Sequence, residues 1–248
     1  LSIGKDITEK REETERLLQK SEKLALLGQM AAGIAHEIRN PLTSIRGFIQ
    51  LFRTSTQKEE YFEIVLSELD RINEIVGEFL VLAKPSSAVY ITQDIKILLK
   101  DVITLINNQS LLNNIQINVE FDDDLPLISC EENQLKQVFL NLLKNAMEAM
   151  PKGGSIRVVV KEKEEGTISV QIIDQGVGIP QERISTLGEP FYTTKEKGTG
   201  LGLMTCYKII EGHNGTLNIY SKINEGTTIE IILPTITQPL LKMEVSHS

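Results

Sequence analysis

A seven-residue apolar rhythm runs through the first part of this chain. Leu17, Leu24, Ala31, Ile38, Ile45 and Phe52 follow one another without a miss, and Leu27, Ile34 and Phe48 fall three residues behind members of that series. Steps of three and four keep side chains on one stripe of an α-helix, so a helix is predicted from Glu9 to about Phe52. A second stripe, Phe62, Val65, Leu69, Ile72, Val76, Phe79 and Ala83, runs until Pro85, which has no N–H to continue the ladder. The polar "RTSTQKEE" between them predicts a turn. Two long amphipathic helices thus form an antiparallel hairpin. A lone hairpin cannot cover stripes this long, and a homodimer packed as a four-helix bundle is the economical solution.

After Pro85 the texture changes. "IQINVEF", "SIRVVV", "TISVQII", "TLNIYS" and "TTIEIIL" alternate with β-branched residues and predict strands, while 93–108, 131–150 and 201–212 predict helices. Neighbouring strands meet in hairpins around Lys161–Gly166 and Lys222–Gly226, so the second half is expected to be a mixed sheet with helices on one face. The fold class is α followed by α/β. The tail from Thr237 has no clear period and is expected to be disordered.

Charge and composition remove several function classes. A net charge of −8 argues against nucleic acid, which selects clustered Lys and Arg. No apolar run approaches the ~18 residues of a membrane span, which fits a cytoplasmic portion. Cys130 and Cys206 stand far apart with no Cys-x-x-Cys or Cys/His cluster, so they are expected to be core thiols. The opening "LSIGKDIT" lacks an initiator Met, which suggests a fragment of a longer protein.

Two glycine-dense stretches carry chemistry. "DQGVGIP" (Asp174 to Pro180) and "KGTGLGL" (Lys197 to Leu203) let backbone N–H groups approach phosphate oxygens, with a helix beginning after Leu201 beside that charge. Tight turns alone are the alternative. Gly198, Gly200 and Gly202 fit neither the Walker nor the Rossmann spacing. The polar and basic "GEPFYTTKEK" between the stretches suits a lid over phosphates. Asn141 and Asn145 lie four apart on an otherwise apolar helix, which points either to a core hydrogen-bond network or to a metal ion and triphosphate.

A third stretch surrounds His36. It lies two residues after Ile34, off the apolar stripe, so its imidazole faces outward, either as an ordinary surface histidine or as a nucleophile. Glu37 could take the proton from one ring nitrogen as the other attacks phosphorus. Asn40 is one helical turn further on the same face. Pro41 removes the donor to the Glu37 carbonyl and is expected to bend the helix beside the reacting pair.

These boxes, taken in order, resemble the sensor histidine kinases. Asn141 and Asn145, Asp174-x-Gly176-x-Gly178, Gly198-x-Gly200-x-Gly202 and Glu225-Gly226-Thr227 look like the successive motifs of the GHKL (Bergerat) ATP-binding α/β sandwich. "HEIRNPL" from His36 to Leu42 resembles the phosphoacceptor motif. The resemblance implies that Asp174 accepts from the adenine amino group and that Thr227 helps there, often through a water. It further implies that Asn145 ligates Mg2+ with Asn141 near the phosphates, and that Gly198, Thr199, Gly200, Leu201 and Gly202 frame the lid hinge and triphosphate of ATP. Glu148 departs from relatives that have a basic residue there, which leaves phosphate neutralisation to Lys144, Lys195 or Lys197. His36 would carry the phosphoryl group before an aspartate of a response regulator receiver domain accepts it, and Asn40 is tied to a possible phosphatase activity. The combined motifs look closest to sporulation-type kinases of spore-forming bacteria, which implies a phosphorelay and, as a further partner, a small antikinase protein on the hairpin.

On this resemblance residues 1–15 form a signalling helix after a PAS-like sensor, 16–85 the dimerisation and phosphotransfer domain, 86–92 a linker, 93–235 the catalytic domain and 236–248 the tail. The rival functions are a GHKL serine kinase, a plain ATPase and an ATP-sensing scaffold. His213 in "EGHNGTL" is expected to close a helix into a turn.

Overall fold

The computed structural model describes residues 28, 31, 33–52, 58–83, 89–163, 166–188 and 200–236. It divides into two compact units, one within residues 1–86 together with 189–202, the other from 87–188 with 203–248. The first is helical. Residues 33–51 form helix α1, unbroken through Pro41, and Lys58–Ala83 form α2. Phe48 and Phe52 from the end of α1 meet Tyr61 in the first turns of α2, with ring centroids 5.5 and 6.2 Å apart, which closes the hairpin. Lys58, Glu59 and Glu60, read from sequence as part of the turn, are helical instead. Two carboxylates in the first turn oppose the positive end of the helix dipole and favour helix over loop there.

Of the predicted stripe on α1, Ile34 and Ile45 are buried and Ile38, Phe48 and Phe52 half-buried, whereas Ala31 is exposed. On α2, among the described side chains, the deepest is Ile75, fully buried; of the predicted stripe Val65, Ile72 and Phe79 are half-buried, while Phe62, Leu69 and Val76 are exposed. The α2 stripe is therefore displaced from the surface that α1 covers. Among the described residues no helix is long and apolar enough to cross a membrane.

The second unit is built on a five-stranded mixed sheet of order β2-β4-β5-β7-β6, where β2 is Ile115–Phe121, β4 Gly154–Lys163, β5 Thr167–Asp174, β6 Thr216–Lys222 and β7 Gly226–Pro234. β4–β5 and β6–β7 are the expected hairpins. β2 pairs with β4 in parallel, and parallel neighbours need a long crossover. Helix α4 (Glu132–Glu148) lies in that crossover and packs on β4 and β5, while α3 (Ile95–Leu112) packs on α4 and β2. Alternation then sorts the side chains: Ile156, Val158, Val160, Ile168, Val170 and Ile172 face the helices and are buried, while Arg157, Lys161 and Gln171 face away. Helix α6 (Gly202–Gly212) approaches α4, with Cys206 Sγ 3.9 Å from Val138 O. Both cysteines are free and buried as expected, and burial pushes the Cys130 thiol up to about 11. Three short elements escaped the sequence reading: β1 (Ile91–Gln93) and β3 (Ile128–Cys130), paired antiparallel, and α5 (Gln181–Ile184).

Candidate functional site

Asp174 ends β5, the central strand, with its neighbour β7 alongside. It is only 6% exposed, on the sheet face that carries Ile156, Val158, Val160, Ile168, Val170 and Ile172. Its Oδ1 accepts from Gly176 N at 2.8 Å and from Thr227 N at 3.1 Å. Oδ2 takes no hydrogen bond from the described residues and is left to accept from a ligand. Burial raises the Asp174 carboxyl above its ordinary value, and the two backbone donors pull it partly back.

At two positions after Asp174 the chain passes too close to its neighbours for any side chain. A Cβ at Gly176 would lie 2.6 Å from the Ala149 Cβ, and one at Gly178, where φ is +69°, would collide with the Lys222 carbonyl. These two glycines let the turn nest between the end of α4 and the β6–β7 hairpin. Val177 N donates to Ala149 O at 3.1 Å and accepts Asn224 N on its own carbonyl at 2.9 Å. The turn is thereby anchored on both sides.

Helix α4 supplies the two amides. Glu131 caps it by accepting from Gln134 N at 2.7 Å, and Leu135, Val138, Phe139, Leu142, Leu143, Ala146 and Met147 bury its inner face. Asn141 and Asn145 flank that face, half-buried. Asn141 Nδ2 is buried with no partner among the described residues, as is Thr205 Oγ1 on α6. A buried amide donor without an acceptor costs about 1–3 kcal/mol. An anionic ligand would remove that cost, so the residues present fit a triphosphate. Among the described residues no group of three His, Cys, Asp or Glu side chains could hold a metal alone. A hard cation held by the Asn145 amide oxygen and substrate phosphates is compatible with that donor set.

Gly200, Leu201 and Gly202 lead into α6, and Leu201 is fully buried. Lys195, Lys197, Gly198 and Thr199 lie outside the described residues. Lys144 is half-buried on α4 and Glu148 exposed near its end.

His213, just past α6, does close its helix into a turn: Asn214 follows with φ +55° and Gly215 N returns to Ile210 O at 2.9 Å. It also does what the sequence did not show. Its Nε2 accepts from Glu131 N at 3.0 Å, so Nδ1 carries the proton and donates to Ile209 O at 2.7 Å. The start of α4 is thus clasped to the end of α6. Tyr90 covers the ring at 5.1 Å and donates to Gly212 O at 2.6 Å.

In the helical unit, His36 and Asn40 are both exposed on one face of α1, Glu37 is half-buried, and Pro41 turns inward and is buried. Thr43 Oγ1 donates to Arg39 O at 2.8 Å across the position of the proline. An outward imidazole is open to attack on an incoming phosphorus, with an amide one turn away.

Comparison with known proteins finds the same two halves. Residues 26–88 match the model of the His Kinase A (phospho-acceptor) domain, and residues 130–237 that of the histidine kinase-, DNA gyrase B- and HSP90-like ATPase. Sporulation kinase E of Bacillus subtilis is 49% identical over 236 residues, which is 94% of this chain and 32% of that protein. The chain thus spans about a third of that relative's length. The catalytic domain of histidine kinase ThkA is 30% identical, with TM-score 0.55 over 59% of this chain and 96% of that one. ThkA in complex with the response regulator protein TrrA is also 30% identical, with TM-score 0.73 over 87% of this chain and 64% of that one.

Proposed function

Because the chain belongs to the histidine kinases, we propose that it binds ATP with Mg2+ and phosphorylates itself on His36, then passes the phosphoryl group to an aspartate of a response regulator. The observation that carries this reading is the coexistence of a solvent-facing His36 on α1 with an α/β unit in which Asp174 Oδ2 and Asn141 Nδ2 have no partner among the described residues. Asp174 holds the adenine amino group, Asn141 meets the phosphates, and Asn145 holds the cation with them. Lys144, Lys195 or Lys197 neutralises phosphate charge. A ring nitrogen of His36 attacks the γ-phosphorus, the bond from phosphorus to the bridging oxygen breaks, ADP departs, and Glu37 takes the proton from the imidazole. Asn40 orients a phosphoryl oxygen, or a water when the reaction runs toward dephosphorylation of the partner.

The unit of function is a homodimer. Leu42, Ile49, Phe62, Leu66, Leu69 and Leu80 are each 40% or more exposed in the single chain, and a four-helix bundle would cover them. The relatives point to a sporulation-type phosphorelay, where a small antikinase protein on the hairpin would be an inhibitor.

Incubation with γ-labelled ATP tests the reading. An acid-labile, base-stable label on the chain is expected, absent from His36→Gln while nucleotide affinity stays unchanged. A serine kinase or plain ATPase would leave the chain's label insensitive to that substitution, and a scaffold would bind nucleotide without labelling.

A further inference from the structure

The hydroxyl of Ser221 stands at a junction to which the nucleotide reading gives no role. Ile179 N donates to it at 2.8 Å, Gly226 O lies 2.9 Å away, and Thr227 Oγ1 2.8 Å away. A serine hydroxyl has one proton and two lone pairs. A carbonyl can only accept, so Gly226 takes the proton. Ile179 occupies one lone pair, and the contact with Thr227 must use the other. Thr227 is therefore the donor, the one assignment in which all three contacts are hydrogen bonds. Its proton points to Ser221, and only lone pairs remain on Thr227 Oγ1 for a ligand.

The neighbouring carboxylate has the same polarity. Asp174 Oδ1 is taken by Gly176 N and Thr227 N, and ionised Oδ2 can only accept. Ser221 and Thr227 are paired in register across the β6–β7 hairpin, so the strand geometry holds this arrangement in place.

We propose that Ser221 is a positioning residue for base specificity: by taking the Thr227 proton it keeps the wall made by Asp174 and Thr227 acceptor-only, which suits a 6-aminopurine and opposes a 6-oxopurine. The inference rests on the ATP-binding reading above. Adenine brings two N–H bonds on its 6-amino group to such a wall. Inosine brings an oxygen to the same place, lone pair against lone pair.

The test is the ratio of affinities for ATP and inosine triphosphate, measured by calorimetry on the full chain. The two nucleotides share ribose and triphosphate, so general loosening of the site acts on both alike. The natural chain is expected to prefer ATP. In Ser221→Ala the Thr227 hydroxyl is released and can turn its proton to the 6-oxo group, so the preference falls about tenfold. Ser221→Thr, which restores a hydroxyl, keeps the natural ratio. Thr227→Val also lowers it, and adding Ser221→Ala to Thr227→Val changes it no further. A natural ratio in Ser221→Ala, or in Thr227→Val alone should the first variant not fold, overturns the role of Ser221 and leaves ATP binding standing. Absence of ATP binding by the natural chain overturns both.

Discussion

The two units differ in how completely each buries its own apolar surface. In the α/β unit Leu98, Leu99, Val102, Leu135, Phe139, Leu142, Val158 and Val170 are all at 0% exposure. In the helical hairpin of α1 and α2, among the described residues, only Ile75 reaches that level, while Ile49, Phe62 and Leu80 stand at 52%, 54% and 51%. A closed interior gives a fold that stands alone. An open apolar face, at about 25 cal/mol per Å² of surface to be covered, gives a fold whose stability depends on a second copy. The nucleotide site proposed around Asp174, which needs rigid geometry, is on the closed unit, and the proposed phosphoacceptor, His36, is on the open one.

The sharpest way to break this contrast is to damage each interior in turn. Phe139→Ala should destabilise the α/β unit by about 4 kcal/mol in urea denaturation, independently of protein concentration. Concentration dependence of that transition would show that the α/β unit also leans on a partner. Asp174→Asn should weaken ATP binding about a hundredfold or more by calorimetry without altering the oligomeric state, since a carboxamide can turn a donor toward the adenine amino group. Burial raises the Asp174 carboxyl, so the folded protein holds that proton more tightly than the unfolded chain. The residue therefore costs stability above its folded pKa and the cost is relieved as pH falls through it. ATP affinity should move the opposite way, declining on acidification at a higher pH than a solvated aspartate would produce.

On the open unit, Leu66→Lys with Leu69→Lys should weaken self-association about tenfold or more in analytical ultracentrifugation, with ATP affinity unchanged. Dimers persisting at the natural strength would mean that another face holds the copies together. The smallest effect is expected at Glu230 on β7, buried on the outer face of the sheet. Lys163 at 2.8 Å, then Ser169, Gln171 and Asn218, hold its carboxyl below the ordinary value. Its stabilisation is present above the unfolded pKa and lost as pH falls through the folded one. Glu230→Gln should flatten that acidic part of the stability profile, and an unchanged profile would assign it to other carboxylates.

Strong periods were legible in the sequence and short elements were not. β2, β4, β5, β6 and β7 follow the alternation of "IQINVEF" and its counterparts to within a few residues, because each has one face against helices. β1, β3 and α5, of three, three and four residues, are shorter than the window in which any period can be recognised. Ile75 was missed for a different reason. A bundle helix has two apolar flanks, one toward its own hairpin and one toward a partner, and the 3-4 series through Leu69 and Val76 followed the second. At the proposed nucleotide site the glycine-dense turn after Asp174 was readable in the sequence, the role of Asp174 came only from the family resemblance, and the hairpin that sets Ser221 opposite Thr227 was expected from its turn. What could not be read is direction: which oxygen Asp174 has spent, which hydroxyl donates, and that Asn141 lacks an acceptor among the described residues all depend on distances between segments remote in sequence.

The clasp made by His213 also provides a probe. Its Nδ1 proton is buried and bonded to Ile209 O, so it should exchange slowly with solvent and give a resolved low-field nitrogen-attached signal in a magnetic resonance spectrum. With three histidines in the chain and His36 exposed, such a resonance is readily assigned by a single substitution. Its line would survive only while the start of α4 and the end of α6 remain docked. Followed during ATP addition or gentle heating, one proton would report the integrity of the scaffold beneath the nucleotide separately from the fate of the dimer.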